Sequence, residues 1–379
     1  MNNSLQYHLD KINPNMVTMA RELRGFTKKE LASKIGKTPA TVTRIEKGSL
    51  VPDLDTFFIL STTLRVPPAF FSKPQENTYS FQLSDCFFRG KASVSMKDKR
   101  QITTYGKRAA EFFLFFQQQG VLFPEESIYQ DEPSDRSVKN IEELALHTRN
   151  KLGLGFGPVH NLIKTLEAHG AFVVNISSDS SKKVDAFSVK SEERPLIFLY
   201  KNQSPSRLLF DIAHELGHIL LHEDVCHGAV QEREANRFAS AFLMPWEKFM
   251  QECPRRWNFN AFLKMKNRWK VSISALLYRA KSLNLLSDSS YKRAMIDMNR
   301  RGFRVHEPEE PEREKPSLCE EALELLNEKI TISDIESFLR LHTAEVIRLL
   351  EDQYVSSELI DKISVQKKKR YGSLLQLSS

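Results

Sequence analysis

The residues best suited to chemistry lie in the stretch RLLFDIAHELGHILLH, residues 207–222. Within it His214, Glu215 and His218 form an H-E-x-x-H pattern. On a helix, residues four apart share one face, so the two imidazoles can bind one ion while Glu215 projects beside it. Neutral histidine suits Zn²⁺, and the carboxylate can take a proton from a metal-bound water that attacks a carbonyl carbon. The pattern predicts a hydrolytic zinc site, and chance occurrence in a buried helix is the poorer explanation.

A third zinc ligand is predicted on the next helix, EREANRFASAFLM. We favour Glu232, because it shares a helix face with two alanines that allow close approach, whereas Glu234 shares its face with two phenylalanines. Asn236, four positions after Glu232, has the spacing of a side chain that hydrogen-bonds a ligand histidine in zincins with a glutamate ligand. Glu234 stays the alternative. His222 extends the face of the first helix, but three protein ligands and a water complete a catalytic zinc, so we expect a nearby acceptor to hold its ring.

A second motif lies near the N-terminus, where TKKELASKIGKTPATVTRIEKG pairs two short helices across a glycine-containing turn. This is the layout of a helix-turn-helix, whose second helix presents its first residues to base edges. The residues predicted to read sequence are Thr38, Ala40, Thr41 and Arg44. Those predicted to contact phosphates are Lys28, Lys37 and Lys47. The alternative is a generic helical bundle with a solvated lysine face.

The composition is that of a globular protein with more than one domain. The chain has 379 residues, of which 41% are hydrophobic and 27% charged, and its net charge is +7. Residues 1–70 carry +4 of that charge, which predicts that the basic excess, and an anionic partner, belong to the helix-turn-helix. No apolar stretch is long enough to span a bilayer, and the N-terminus lacks the layout of a signal peptide. We therefore expect a cytoplasmic protein without a membrane partner. The four cysteines are scattered and are expected to be reduced.

The order of helical and strand-like segments predicts a multidomain fold. Residues 1–73 form an all-α helix-turn-helix domain, residues 74–138 a connector, and residues 139–308 an α+β zincin-like metallopeptidase domain. The charged, proline-rich residues 309–316 read as a flexible linker, and residues 317–379 as a small helical C-terminal region.

Two known families match these motifs. Residues 15–71, in which the second helix of the helix-turn-helix ends in the turn RIEKG, resemble the Xre/Cro repressors. Residues 140–308 resemble the ImmA/IrrE-type metallopeptidases through four segments in order: HELGHILLH, EREANRFASAFLMP, RWKVSISALLYRA and RRGFRVHEP. One departure is Lys28, which stands where Xre helices often begin with a glutamine that contacts DNA.

The resemblance implies a cytosolic zinc endopeptidase of the gluzincin type that cuts a transcriptional repressor, or itself, in a stress, phage or mobile-element response. It assigns His214 and His218 as ligands, Glu215 as the catalytic glutamate and Glu232 as the glutamate ligand. The expected partners are operator DNA, a protein substrate and a second copy of the chain, since helix-turn-helix proteins usually bind paired half-sites. The alternative is a transcription factor whose zincin-like domain senses a metal, a ligand or a protein without turnover.

Overall fold

The fold is described from a computed structural model of the chain. It describes residues 2–74, 78–79, 81–90, 94–125, 128, 136–177, 184–190, 194–200, 203–222, 228–303, 306–326 and 329–365. Among these residues no helix has the length and apolar character needed to cross a membrane.

The N-terminal domain is helical throughout. Its helices are α1 (Asn2–Asp10), α2 (Pro14–Leu23), α3 (Lys28–Lys34), α4 (Pro39–Glu46) and α5 (Leu54–Leu64). The Thr27 side chain accepts from the Glu30 backbone N–H and the Glu30 carboxylate accepts from the Thr27 N–H, which closes a capping box at the start of α3. The Thr38 side chain caps α4 by accepting from the Thr41 backbone N–H, with Pro39 at the first helical position. The predicted all-α domain with its helix-turn-helix is confirmed.

One four-stranded sheet supports the second domain. Its strands are β1 (Cys86–Gly90), β2 (Phe172–Ile176), β3 (Val184–Val189) and β4 (Leu196–Tyr200), in the order β1-β3-β4-β2. β3 pairs antiparallel with both β1 and β4, whereas β2 and β4 run parallel. A parallel pair needs a crossover, and the sheet's apolar faces need cover, so helices lie against it.

Helices of this domain surround the sheet and one another. They are α7 (Val138–Lys151), α8 (Leu162–Ala168), α9 (Pro205–Leu221), α10 (Ala229–Leu243), α11 (Trp246–Glu252), α12 (Phe259–Trp269), α13 (Ile273–Ser282) and α14 (Asp288–Arg300). α9 packs against β3, β4 and α10, and one apolar core joins the sheet to α7 through α14. The predicted α+β domain is confirmed.

The predicted connector, residues 74–138, is structurally part of both domains. β1 forms an edge of the sheet, and α6 (Met96–Gln118) packs against α2 and against β2. The apolar run in α6 is buried because it fills the space between the helical domain and the sheet. Its pattern therefore reflects an interdomain core, which differs from the expectation of a connector.

The C-terminal region also departs from the expectation of a flexible linker before it. Glu310 accepts from the Ser206 N–H and from Lys266, and Glu314 accepts from the Ile163 N–H, so this acidic segment is fixed to the second domain. The helices that follow are α15 (Leu318–Leu326), α16 (Ile332–Leu339) and α17 (Thr343–Asp352).

The end of α17 joins the sheet to the helical domain. The Gln353 side chain pairs with both backbone groups of Asn175, as a neighbouring strand would, and so covers the open edge of β2. At its other end α17 carries Glu345, which forms an ion pair with Arg24 of the N-terminal domain. Of the four cysteines, Cys86, Cys253 and Cys319 are buried free thiols, as expected, and Cys226 lies outside the described residues.

Candidate metal centre and DNA interface

α9 and α10 bring three of the predicted residues together. His214 and His218 lie on one face of α9 and are almost fully buried, and Glu232 comes from the first turn of α10. Their ligand atoms all lie within 4.8 Å of one another. The Glu232 side chain is 43% exposed, so the cluster is open to solvent on its carboxylate side.

His214 is held in the tautomer that a metal ligand needs. The Asn236 amide donates through Nδ2 to the Glu232 carbonyl, so its Oδ1 is the atom facing His214 Nδ1 at 3.1 Å. An amide oxygen only accepts, which places the imidazole proton on Nδ1. Nε2 is then left with its lone pair directed toward His218 and Glu232. The spacing argument for Asn236 predicted this contact.

His218 is oriented by a second chain of hydrogen bonds. His222 lies 3.0 Å through Nε2 from a carboxylate oxygen of Glu234, and its Nδ1 lies 3.1 Å from Nδ1 of His218. The carboxylate accepts from His222 Nε2–H, His222 Nδ1 accepts from His218 Nδ1–H, and His218 Nε2 again keeps its lone pair. Burial lowers the pKa of His222 to about 4, consistent with a neutral ring in this chain. Glu234, the alternative third ligand, therefore hydrogen-bonds His222 and is not one of the three clustered residues.

The donor set fits zinc by type, and two of its three ligand-atom separations are those of a tetrahedral zinc site. His214 Nε2 lies 3.0 Å from His218 Nε2, and each lies 3.4 Å from a Glu232 oxygen. Tetrahedral zinc bonds of about 2.0–2.2 Å put neighbouring ligand atoms about 3.3–3.6 Å apart. Two imidazoles and one carboxylate form the ligand set of a catalytic zinc with one open position.

Glu215 lies beside this cluster, fully buried, and its Oε2 accepts a 2.6 Å hydrogen bond from Ser188 Oγ of β3. Phe87 of β1 stacks on the His218 ring with centroids 5.1 Å apart and also contacts His222. Sequence reasoning missed both neighbours. No local pattern marks them, since which strand faces α9 is a tertiary property.

Gly217 sets the distance between α9 and α10. A Cβ at this position would lie 3.2 Å from Ala235 Cα and 3.1 Å from a ring carbon of Phe238. The glycine inside H-E-x-x-H therefore allows the two helices to come close enough for Glu232 to reach the histidines.

We expect Gly217→Ala to weaken zinc binding, although alanine favours helix by about 1 kcal/mol. The methyl would displace the α10 backbone by a few tenths of an ångström, which exceeds the ~0.2 Å tolerance of zinc–ligand distances. Competition with a chromophoric chelator would measure this. Gly157→Ala, between α7 and α8, is the control, because a Cβ there would meet no atom within 4 Å. Equal zinc affinity in both variants would refute this role of Gly217.

A cavity of about 680 Å³ adjoins the cluster and includes Asn236 in its wall. Phe210, Tyr278 and Phe303 supply aromatic surface and Arg207 and Arg233 supply positive charge. Its remaining wall comes from Ser204, Ser206, Asp211, Ser272, Ser274, Ala275, Glu307 and Glu310. A peptide side chain fits such a mixture of aromatic and polar groups.

The predicted DNA-contacting residues all lie on α3, on α4 or in the turns beside α4. Thr38, Ala40 and Arg44 are exposed along the first turns of α4, and the Thr38 and Thr41 hydroxyls are hydrogen-bonded to each other. Lys28 lies 3.4 Å from Glu46, and Lys37 lies 3.8 Å from Asp53, so each already has a carboxylate neighbour. Within the described residues Arg44 and Lys47 are exposed and form no ion pair, so of the predicted basic residues they are the most available to DNA.

A buried ion pair, missed in the sequence, holds α4 in place. Arg21 of α2 donates through Nε and Nη2 to the two oxygens of Glu46, at 2.5 and 3.2 Å, and through Nη1 to the Phe26 carbonyl. A bidentate arginine–carboxylate pair fixes orientation as well as distance. The pair therefore sets the angle at which α4 is presented.

Two family models match the chain. The helix-turn-helix model matches residues 18–71, and the model for the IrrE N-terminal-like domain, a peptidase family, matches residues 167–281. A comparison with curated proteins finds no match. Among solved structures, Bacillus thuringiensis PlcR in complex with the peptide PapR7 and DNA aligns over 96% of this chain and 98% of that chain, with 13% identity and a TM-score of 0.15. So low a TM-score carries no structural argument.

Both family matches fall inside the predicted domains, residues 1–73 and 139–308, in the predicted order. They confirm the resemblance that the motifs indicated. The chain joins an Xre-type helix-turn-helix domain to an ImmA/IrrE-type, metallopeptidase-like domain.

Proposed function

We propose that this chain is a DNA-binding regulator whose second domain is a zinc-dependent endopeptidase. The observation that carries the proposal is the cluster of His214, His218 and Glu232, with Glu215 on the same turn of α9. The proposed substrate is a transcriptional repressor or the chain itself, because the peptidase is fused to a domain that acts at promoters.

Each residue of the site has a distinct role in this proposal. His214, His218 and Glu232 hold zinc, and Asn236 and His222 orient the two histidines. Bound zinc would supply a Lewis acid and an activated water. Glu215 would accept a proton from the attacking water and deliver it to the leaving amine. Ser188 fixes the Glu215 carboxylate, and Phe87 excludes water from one side of His218.

The cavity beside Asn236 supports a peptide substrate. Its aromatic groups can accept an apolar side chain, while Arg233 can pair with an acidic residue nearby. We infer that the cleaved protein presents an apolar residue close to the scissile bond, with an acidic residue on one side. Cleavage of peptides that vary at these two positions would test this.

One observation favours a second candidate, a zinc-dependent sensor without turnover. Glu215 is fully buried and hydrogen-bonded to Ser188, whereas a general base must reach a water. A sensor needs the three ligands but not Glu215. The two candidates are therefore separated by comparing cleavage and zinc content in a Glu215→Gln variant.

For the first domain we propose that α4 enters the major groove of an operator near the protein's own gene, as a homodimer on paired half-sites. Thr38, Ala40, Thr41 and Arg44 face the bases in this arrangement. Lys47, and Lys28 and Lys37 on release from Glu46 and Asp53, contact phosphates.

We expect Arg44→Ala to weaken operator binding by about 1–3 kcal/mol, the discrimination typical of a bidentate arginine–base contact. Arg44→Lys is the matched control, because it keeps the charge but loses the planar fork. If Arg44 reads a base, both variants lose affinity for the operator more than for mixed-sequence DNA. Titrations by fluorescence anisotropy would show this, and full operator affinity in Arg44→Lys would contradict base reading.

A further inference from the structure

The strongest concentration of positive charge lies outside the helix-turn-helix. Residues 255–301 contain 12 lysines and arginines and only 2 acidic residues, a net charge of +10. The whole chain carries +7, and residues 1–70 carry +4. The expectation that the basic excess lies at the helix-turn-helix is therefore wrong, because the larger excess belongs to the segment that contains α12 to α14.

Internal ion pairs neutralise only part of this charge. The basic residues of the segment that pair with carboxylates are Lys266, Arg268, Arg279, Lys281 and Arg301. The others are exposed and, within the described part of the chain, form no ion pair; they are Arg255, Arg256, Lys264, Lys270, Lys292, Arg293 and Arg300. Exposed cations at this density create a positive potential that attracts a polyanion.

Several of these cations are gathered by packing around α14. The Trp257 backbone N–H donates to Ser290 Oγ at 2.8 Å, and its indole N–H donates to Asp297 at 3.3 Å. These two hydrogen bonds hold Arg255 and Arg256, which precede Trp257, beside α14. On α14 itself Arg293 and Arg300 lie on one exposed face. We call the group Arg255, Arg256, Lys292, Arg293 and Arg300 the basic surface.

We propose that the basic surface binds the phosphate backbone of double-stranded DNA, outside the base pairs that α4 reads. DNA carries one negative charge about every 1.7 Å along its axis, which suits a row of separate cations. A protein partner would favour an apolar, aromatic centre with few lysines. Here the exposed apolar residue on the same face of α14 is Ile296, so the surface fits a backbone better than a protein.

This proposal is independent of sequence reading by α4. α14 packs against α13 in the second domain, so DNA bound at both places would contact both domains. The additional contacts would hold the peptidase-like domain against DNA. They would raise affinity for all sequences alike, since phosphates carry no sequence information.

The test is the salt dependence of binding to a long duplex of mixed sequence by the full-length, zinc-loaded protein. Lys292→Gln/Arg293→Gln/Arg300→Gln should reduce the slope of log K against log salt by up to about 2.7, at about 0.9 for each lost phosphate contact. The control, Lys164→Gln/Lys329→Gln/Lys362→Gln, removes the same charge from exposed lysines elsewhere.

A slope equal to that of the control would overturn the proposal, because the effect would then follow net charge and not position. Circular dichroism should show unchanged helix content in the triple variant. If it does not, the single Arg293→Gln variant gives the same test with an expected change of about 0.9, and an unchanged slope there also overturns the proposal.

Discussion

Glu215→Gln should abolish proteolysis while leaving zinc bound. General-base catalysis contributes about 10²–10⁴-fold, and glutamine keeps the volume of the side chain but cannot take the proton of a water. His214, His218 and Glu232 form the zinc cluster without Glu215, so the metal content should match that of the unaltered protein. Self-cleavage is measured by intact mass, and cleavage of a repressor by co-expression with candidates from neighbouring genes.

The control for this prediction is Glu143→Gln, which removes one carboxylate from the exposed face of α7. It should cleave normally. If Glu215→Gln loses zinc together with activity, Glu215 acts in building the site and the catalytic assignment is wrong. If the unaltered, zinc-loaded protein cleaves neither itself nor any candidate under inducing conditions, the sensor becomes the better account.

The parts of the fold that the sequence revealed are governed by local rules. Thr27 and Thr38 cap their helices because a hydroxyl satisfies an N–H that the helix leaves free, and this is visible in a few residues. The pairing of His214 with His218 follows from the helical repeat alone. Choosing Glu232 over Glu234 needed only the face on which each lies, and the structure places Glu232 beside both histidines.

The parts that the sequence concealed depend on contacts between distant segments. Ser188 meets Glu215, and Phe87 meets His218, only because β1 and β3 pair and α9 crosses them. α6 read as part of a connector because no local signal shows which cores its apolar residues enter. The acidic residues near 310 are interpreted as a linker from the sequence alone because the segment is charged and rich in proline. Composition does not show that Glu310 hydrogen-bonds Ser206 of α9 and Lys266 of α12.

Glu232→Ala and Glu234→Ala should differ sharply in zinc affinity. The two carboxylate oxygens of Glu232 each lie 3.4 Å from one histidine Nε2, whereas Glu234 acts on the metal only through His222 and His218. Loss of an outer-shell partner typically costs about 10–100-fold in metal affinity. We expect a loss in that range for Glu234→Ala and a larger loss for Glu232→Ala.

The physical reason is that the two changes leave different groups unsatisfied. Without Glu232 the cluster keeps two neutral imidazoles, which lack the negative charge that offsets Zn²⁺. Without Glu234 the buried His222 loses the acceptor that fixes its tautomer, so His218 can turn its lone pair away from the metal. His222→Phe should then resemble Glu234→Ala, because both remove the acceptor for His218 Nδ1–H in the required tautomer.

Competition with a fluorescent chelator would rank the variants, with Glu143→Ala as the control for loss of charge. Thermal unfolding with and without zinc gives a second measurement, since zinc that binds only the folded chain stabilises it by RT ln(1 + [Zn]/Kd). The reverse order of affinities would identify Glu234 as the ligand and reduce Glu232 to a surface carboxylate. Equal affinities in all variants would place the metal elsewhere and remove the basis of the peptidase assignment.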